Sequence, residues 1–230
     1  MMSLYFSPLR IFTMKYLERM TDQFQHLAPL IDPMLFDRFQ SVDLSKSKLP
    51  GHADPVLMNE QLAAYLATIP LEGVKTVLYG GYLEERNLYG SSGHFSADIR
   101  NIHLGVDLWL DPGTAVFAST DGVVHSMKYC DQLLDYGYCL VVEYPEIGYV
   151  LYGHLDDYCM RFRSDDRISK GEKIAQVGPM EVNGGWVPHL HLQVIRDMEG
   201  GFGDYPGVCS RSKLAHYQAN CPDPKFLFLM

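Results

Sequence analysis

The sequence predicts a mainly β fold, an antiparallel sandwich or partly open barrel preceded by a helical segment. Three observations carry this. From Val74 onward the chain falls into short apolar runs punctuated by glycine, such as residues 114–118 and 138–144. No stretch of helical length and spacing separates those runs, so neighbouring strands must be joined by turns, the connection that antiparallel pairing uses. The first 70 residues read differently, with apolar and polar positions mixed at loose helical spacing.

In chain order, residues 1–10 have no basic stretch ahead of a short apolar run that Pro8 and Arg10 interrupt. They do not read as a signal peptide, and no later run is long and apolar enough to span a bilayer; the expected location is cytoplasmic, with a periplasmic location or export by another route as the alternative. Residues 15–39, broken at Pro29 and Pro33, read as an amphipathic helical cover, and 41–55, with Pro50-Gly51, as a linker or loop. Asp54 followed by Pro55 is an N-cap with proline at the first helical position, opening a helix over 56–67 with Leu62, Leu66 and Ile69 on one side; Pro70 ends it. A strand over 74–79 follows, with loops at Gly80-Gly81 and 90–93. Residues 98–109 form one strand region, and Asp111-Pro112-Gly113 turns the chain. Residues 114–118 and 122–126 are joined through Asp121-Gly122, a tight-turn dipeptide. Residues 138–144 and 149–155 flank Pro145-Glu146-Ile147-Gly148 as a hairpin. A strand over 173–178 and a glycine-rich loop, Asn183-Gly184-Gly185-Trp186, lead into the two-histidine strand at 188–193. The expected division is a helical cover at 1–72, a main domain at 73–200 and a C-terminal extension at 201–230.

Bulk properties exclude some functions. The chain of 230 residues is 47% hydrophobic, enough for a sizeable core. A net charge of −9 leaves no basic run to neutralise phosphates, so a nucleic-acid binder is not expected. Five cysteines, an odd number without a C-x-x-C pair, read as free packing thiols.

The chemistry lies in the histidines. In an extended strand His103, Gly105 and Asp107 share one face, so an imidazole and a carboxylate would converge over a patch that the glycine leaves open. His189 and His191 also sit two apart, and His154 lies in a third strand-like stretch. Such a set suits a borderline metal such as zinc, held on a sheet by three separated segments. His26, His52, His94, His125 and His216 lack this context and read as surface or packing residues.

Taken together, the motifs resemble those of LytM-type zinc metallopeptidases, the lysostaphin-type or M23 peptidase family. The matching residues are His103-Leu104-Gly105-Val106-Asp107, Gly113-Thr114-Ala115-Val116-Phe117-Ala118, Asp121-Gly122-Val123-Val124, Tyr152-Gly153-His154-Leu155, Lys170-Gly171-Glu172 with Ile174-Ala175-Gln176-Val177-Gly178, and His189-Leu190-His191. They cover roughly residues 98 to 196. Asn183-Gly184-Gly185-Trp186, Tyr205-Pro206-Gly207-Val208 and Cys221-Pro222-Asp223-Pro224 look like the M23 module found fused between phosphotransferase-like and aminotransferase domains. Ser119 stands where the family commonly has proline, and Leu192 where it often has an aromatic; neither touches the metal residues.

The resemblance implies one zinc per chain held by His103, Asp107 and His191, with His154 and His189 as catalytic histidines. It also implies a peptide or peptidoglycan-like substrate, which the missing export signal does not match. Tyr152, two residues before His154 and expected on its strand face, is a candidate oxyanion donor or a packing aromatic. Trp186 is a candidate rim residue or a structural one. The helical first segment is a candidate cover for the cleft. Two other classes stand beside the peptidase: a catalytically silent M23-fold binding module, or a hydrolase of a cytosolic amide outside peptidoglycan. A lysine carrier domain, suggested by Met127-Lys128 and 170–175, is disfavoured because Lys128 falls at a strand end and not at a hairpin tip.

Overall fold

The computed structural model describes residues 26–49, 51–88 and 99–229. The apolar run at the N-terminus, the first part of the 15–39 stretch, the 90–93 loop and His94 lie outside the described residues. Twelve strands are described: β1 (Arg38–Val42), β2 (Thr76–Gly80), β3 (Arg100–His103), β4 (Val106–Trp109), β5 (Ala115–Phe117), β6 (Gly122–Cys130), β7 (Gly137–Tyr144), β8 (Gly148–Leu155), β9 (Arg167–Ile168), β10 (Lys173–Gln176), β11 (Leu190–Ile195) and β12 (Val208–Ser210). Two α-helices accompany them, α1 (Pro55–Ala67) and α2 (Leu214–Asn220).

Eight strands form one open sheet in the order β1-β2-β4-β11-β8-β7-β6-β9, and two small sheets pair β10 with β5 and β12 with β3. The β7–β8 hairpin forms as its turn residues predict, closing at Tyr144 opposite Gly148. Helix α1 starts at Pro55, and the Asp54 side chain accepts from the Val56 N–H at 2.8 Å. It packs Met58 and Leu62 against Leu44, Leu78, Leu88 and Trp186.

Period-2 alternation gives the large sheet two buried faces. Leu140 and Val142, Val150 and Tyr152, and Leu190, Leu192 and Val194 face one core, together with Val116 of β5 and Ile174 of β10. Cys139, Val141, Leu151 and Ile195 face the other, covered by Ile102 of β3, Cys209 of β12 and Met198, Tyr205 and Cys221 of the C-terminal part. All five cysteines are free and buried.

Four expectations need correcting. No helix occurs in residues 26–39; instead β1 joins the large sheet and runs parallel to β2, so the sheet is mixed and not purely antiparallel. The described part of the 98–109 region is two strands, because the chain breaks at Leu104-Gly105 and β3 pairs β12 while β4 pairs β2 and β11. β5 and β6 are not a hairpin: β5 pairs β10 and β6 pairs β7 and β9. Finally, Gly80 ends β2 and is not loop.

Candidate metal centre

The second face of the large sheet ends in a polar cluster because β11 places His191 and Gln193 on it, in line with Ile195. His191 pairs directly with Asp107 of β4 on one side and with Gly153 of β8 on the other. A Cβ on Gly105 would stand 2.6 Å from the Leu192 carbonyl oxygen and 2.7 Å from His191 Cε1. The space that Gly105 leaves is therefore occupied by the His191 ring, not open as a single extended strand would have it. His103 arrives from the other side of the chain break, at the end of β3.

His103, Asp107 and His191 bring three ligand atoms together, all from buried residues. His103 Nε2 lies 3.0 Å from His191 Nδ1, which lies 3.0 Å from Asp107 Oδ1; the third side, His103 Nε2 to Asp107 Oδ1, is 3.3 Å. Bonds of about 2.0–2.2 Å at tetrahedral angles would put neighbouring ligand atoms roughly 3.3–3.5 Å apart, so the triangle fits a zinc ion with only slight spreading. Two imidazoles and a carboxylate are also the donor set zinc takes at three-ligand sites.

Arg86, 1% exposed, backs this cluster. Its Nη1 donates to Asp107 Oδ2 at 2.5 Å and its Nε to Glu84 Oε2 at 2.6 Å. Glu84 Oε1 in turn accepts the Leu44 N–H at 2.8 Å, so the segment after β1 is linked to the cluster. Burial pushes the Asp107 carboxyl pKa up, but His103, Arg86 and His189 together hold it well below the usual carboxylate range. Burial, then the Arg86 charge, brings the His103 imidazole down to about 4.

His154 and His189 lie beside the triad, their rings 4.2 Å apart. Nδ1 of His154 is 2.8 Å from the Asn183 carbonyl and Nδ1 of His189 is 2.7 Å from that of Val187. A carbonyl only accepts, so both rings carry their proton on Nδ1 and present a bare Nε2. That of His189 is 3.7 Å from Asp107 Oδ1. Burial is the main reason both imidazoles titrate below their ordinary value. The Asn183 side chain holds its own loop, accepting from the Trp186 N–H at 2.9 Å and donating to the Gly178 and Trp186 carbonyls. A Cβ at Gly184, φ 88°, would meet the Asp135 carbonyl oxygen at 1.9 Å, so only glycine fits there.

Tyr152 does not reach this group. Across β7 and β8, Leu140 pairs Tyr152 and Tyr138 pairs Leu155, so β8 carries one extra residue, and His154 has φ 59°. This bulge re-aims His154 to the polar face while Tyr152 stays on the opposite one. The Tyr152 hydroxyl instead meets that of Tyr144 at 3.0 Å inside the first core. Turning it outward would forfeit burial comparable to the roughly 1.5–3 kcal/mol of a Phe side chain. Trp186 is close: its ring stands 6.1 Å from that of His154 and 6.3 Å from that of His189, and its Nε1 donates to the Asp135 carbonyl.

The cluster opens into a cleft of about 770 Å³. Leu62, Leu88, Trp109, Leu134 and Trp186 give it an apolar wall, and Arg100, Asp135, Glu199 and Asp204 line its polar side. The Tyr136 ring lies 5.5 Å from that of His154 and 5.3 Å from that of His191. Arg86, Glu84, Tyr136 and Gln193 are absent from the sequence-based site. Gln193 alone had a signal, two residues after His191 in the same strand.

Residues 101–201 match the model of peptidase family M23. No curated protein matches the chain. Similar solved structures include a zinc containing peptidase from Vibrio cholerae, at 28% identity over 41% of this chain and 27% of that one, with a TM-score of 0.35. A mutant catalytic domain of the prophage-encoded M23 protein EnpA from Enterococcus faecalis is 19% identical over 59% and 92% of the two chains, TM-score 0.41. The catalytic domain of lysostaphin from Staphylococcus simulans is 19% identical over 51% and 80%, TM-score 0.36. The chain thus spans about a quarter of the length of the Vibrio cholerae peptidase. Over residues 101–201 this chain is thus similar to peptidase family M23.

Proposed function

We propose that the chain is a zinc-dependent metallopeptidase that hydrolyses an amide bond of a peptide, with a peptidoglycan cross-link as the favoured substrate class. The observation that carries this reading is the triangle of His103 Nε2, His191 Nδ1 and Asp107 Oδ1 at zinc-like spacing, beside two imidazoles with bare nitrogens. His103, Asp107 and His191 would hold the ion. Three protein ligands rather than four is the count of a catalytic and not a structural zinc. When bound, zinc supplies a water that ionises near neutral pH and a Lewis acid for the substrate carbonyl.

The remaining chemistry belongs to the chain. With their protons on Nδ1, His154 and His189 keep Nε2 free to take a proton from the attacking water and pass it to the leaving amine. Their depressed pKa values leave them unprotonated at neutral pH, ready to act as bases. Once protonated, either becomes a donor to the tetrahedral oxyanion. The apolar wall with Trp186 holds substrate and excludes water, and α1 braces it: Asn59 donates to the Gly185 carbonyl at 2.6 Å. In this role Leu62 of α1 lines the cleft together with residues of the C-terminal part, among them Asp204, Tyr205 and Pro206.

Hydrolysis of purified peptidoglycan and of a mixed peptide library, followed by mass spectrometry, tests this reading. His154→Ala and His189→Ala are expected to abolish cleavage while retaining zinc. Full activity in His189→Ala would refute the role assigned to that side chain.

A further inference from the structure

We infer that Gln193 is a positioning residue that commits His191 to one tautomer, proton on Nε2 and lone pair on Nδ1. The inference rests on the reading of His191 as a zinc ligand. Gln193 is fully buried. Its amide nitrogen donates to the Pro206 carbonyl at 3.1 Å and to Cys221 Sγ at 3.4 Å. The Pro206 carbonyl can only accept, so the amide cannot turn over, and its oxygen must face His191. That oxygen, Oε1, lies 3.0 Å from His191 Nε2. Two acceptors do not bond, so His191 Nε2 carries the proton and donates it.

The consequence falls on the other nitrogen. His191 Nδ1 stands 3.0 Å from Asp107 Oδ1 and 3.0 Å from His103 Nε2. His103 has its own proton on Nδ1, 3.1 Å from the Gly81 carbonyl. Three lone pairs therefore face one another, an arrangement that a cation relieves. The opposite tautomer of His191 would place an N–H on Nδ1 and donate it to the Asp107 carboxylate, a charge-assisted bond that competes with the metal. Gln193 opposes that competitor by giving the proton a partner on the far side of the ring. Pro206 and Cys221, which orient Gln193, lie beyond the segment matched to the family, so the C-terminal part of this chain reaches the metal ligand through one amide.

The test compares full-length Gln193→Met and Gln193→Glu with the unmodified protein. Zinc affinity is read by competition with a chromophoric chelator, and the His191 tautomer by long-range proton–nitrogen correlation spectra of the metal-free protein at mildly alkaline pH. Glutamate keeps an acceptor toward His191 but loses the amide donor toward Pro206, whereas methionine loses both. We expect Gln193→Met to bind zinc some 10–100-fold more weakly, the usual range for such orienting partners, and to lose the Nε2-protonated signature. Gln193→Glu is expected to retain both tautomer and zinc affinity while melting at a lower temperature. A folded Gln193→Met with unchanged affinity overturns the inference, as does an unmodified His191 with its proton on Nδ1. If Gln193→Met does not fold, Gln193→Glu decides together with the unmodified protein's spectrum, and loss of the Nε2-protonated form in Gln193→Glu counts against the inference. Failure of the unmodified protein to bind zinc overturns the zinc reading itself, with the tautomer still read from the spectrum.

Discussion

Arg86 has the most to lose from a single substitution. It is a buried cation between two carboxylates, Glu84 and Asp107, whose side chains are 11% and 6% exposed. Removing one partner of a buried ionic group leaves uncompensated charge, typically costing 3–5 kcal/mol. Arg86→Met is expected to lose about that much in the metal-free protein, measured by denaturant unfolding, and less with zinc bound, because the ion takes over part of the neutralisation of Asp107. Equal stability of metal-free Arg86→Met and the unmodified protein would show the pair to be energetically idle. At this scale the sequence is uneven. His103, Asp107, His154, His189 and His191 stand out because their residue types and spacing carry chemistry. Arg86 does not, since nothing local joins an arginine to a carboxylate 21 positions away. Tyr152 misleads because strand alternation assumes no bulge, and the extra residue at Gly153-His154 reverses the facing of everything after it.

Helix α1 illustrates what local sequence determines about an element. Asp54 and Pro55 set its start, and the observed cap bond to Val56 matches. Asp54→Ala should destabilise the protein by about 1 kcal/mol through loss of that cap. Hydrogen exchange should show the first turn of α1 opening more readily, with β7 and β8 unaffected; uniform change across the protein would point to another cause. The β7–β8 hairpin is equally legible, because its turn joins its own partners. The partners of β5 are not: the Asp121-Gly122 turn says that the chain reverses but not that β5 will pair β10, whose register lies over fifty positions later. β1 is hidden for a related reason. It is a short edge strand in parallel pairing, with an exposure pattern that does not alternate, so loose helical spacing outcompetes it in the sequence.

At the scale of the whole molecule, the fold brings four imidazoles into one buried cluster, and pH dependence follows. In the metal-free protein burial and Arg86 bring His103 down to about 4, and burial also holds His154 and His189 below the ordinary 6.5. Below that value the unfolded chain binds protons at these positions that the folded chain does not. Stability therefore rises with pH in this window, and is lost as pH falls from 6.5 toward about 4. The denaturant midpoint of metal-free protein should fall across that interval; a flat profile would mean the imidazoles are not held neutral. The mainly β class is legible from glycine-punctuated strands, but the mixed open sheet is not, because that depends on pairings between distant segments. Among the described residues no helix is long and apolar enough to cross a membrane.

In the reading proposed above, His103, Asp107 and His191, brought together from three segments of this fold, hold one zinc. Elemental analysis of protein purified without chelator or affinity metal, beside Asp107→Ala, tests it most directly. About one zinc per chain is expected in the unmodified protein and none in Asp107→Ala. A folded, unmodified protein that holds no zinc even after the metal is added back would contradict it, and would leave the buried histidines without a metal to serve.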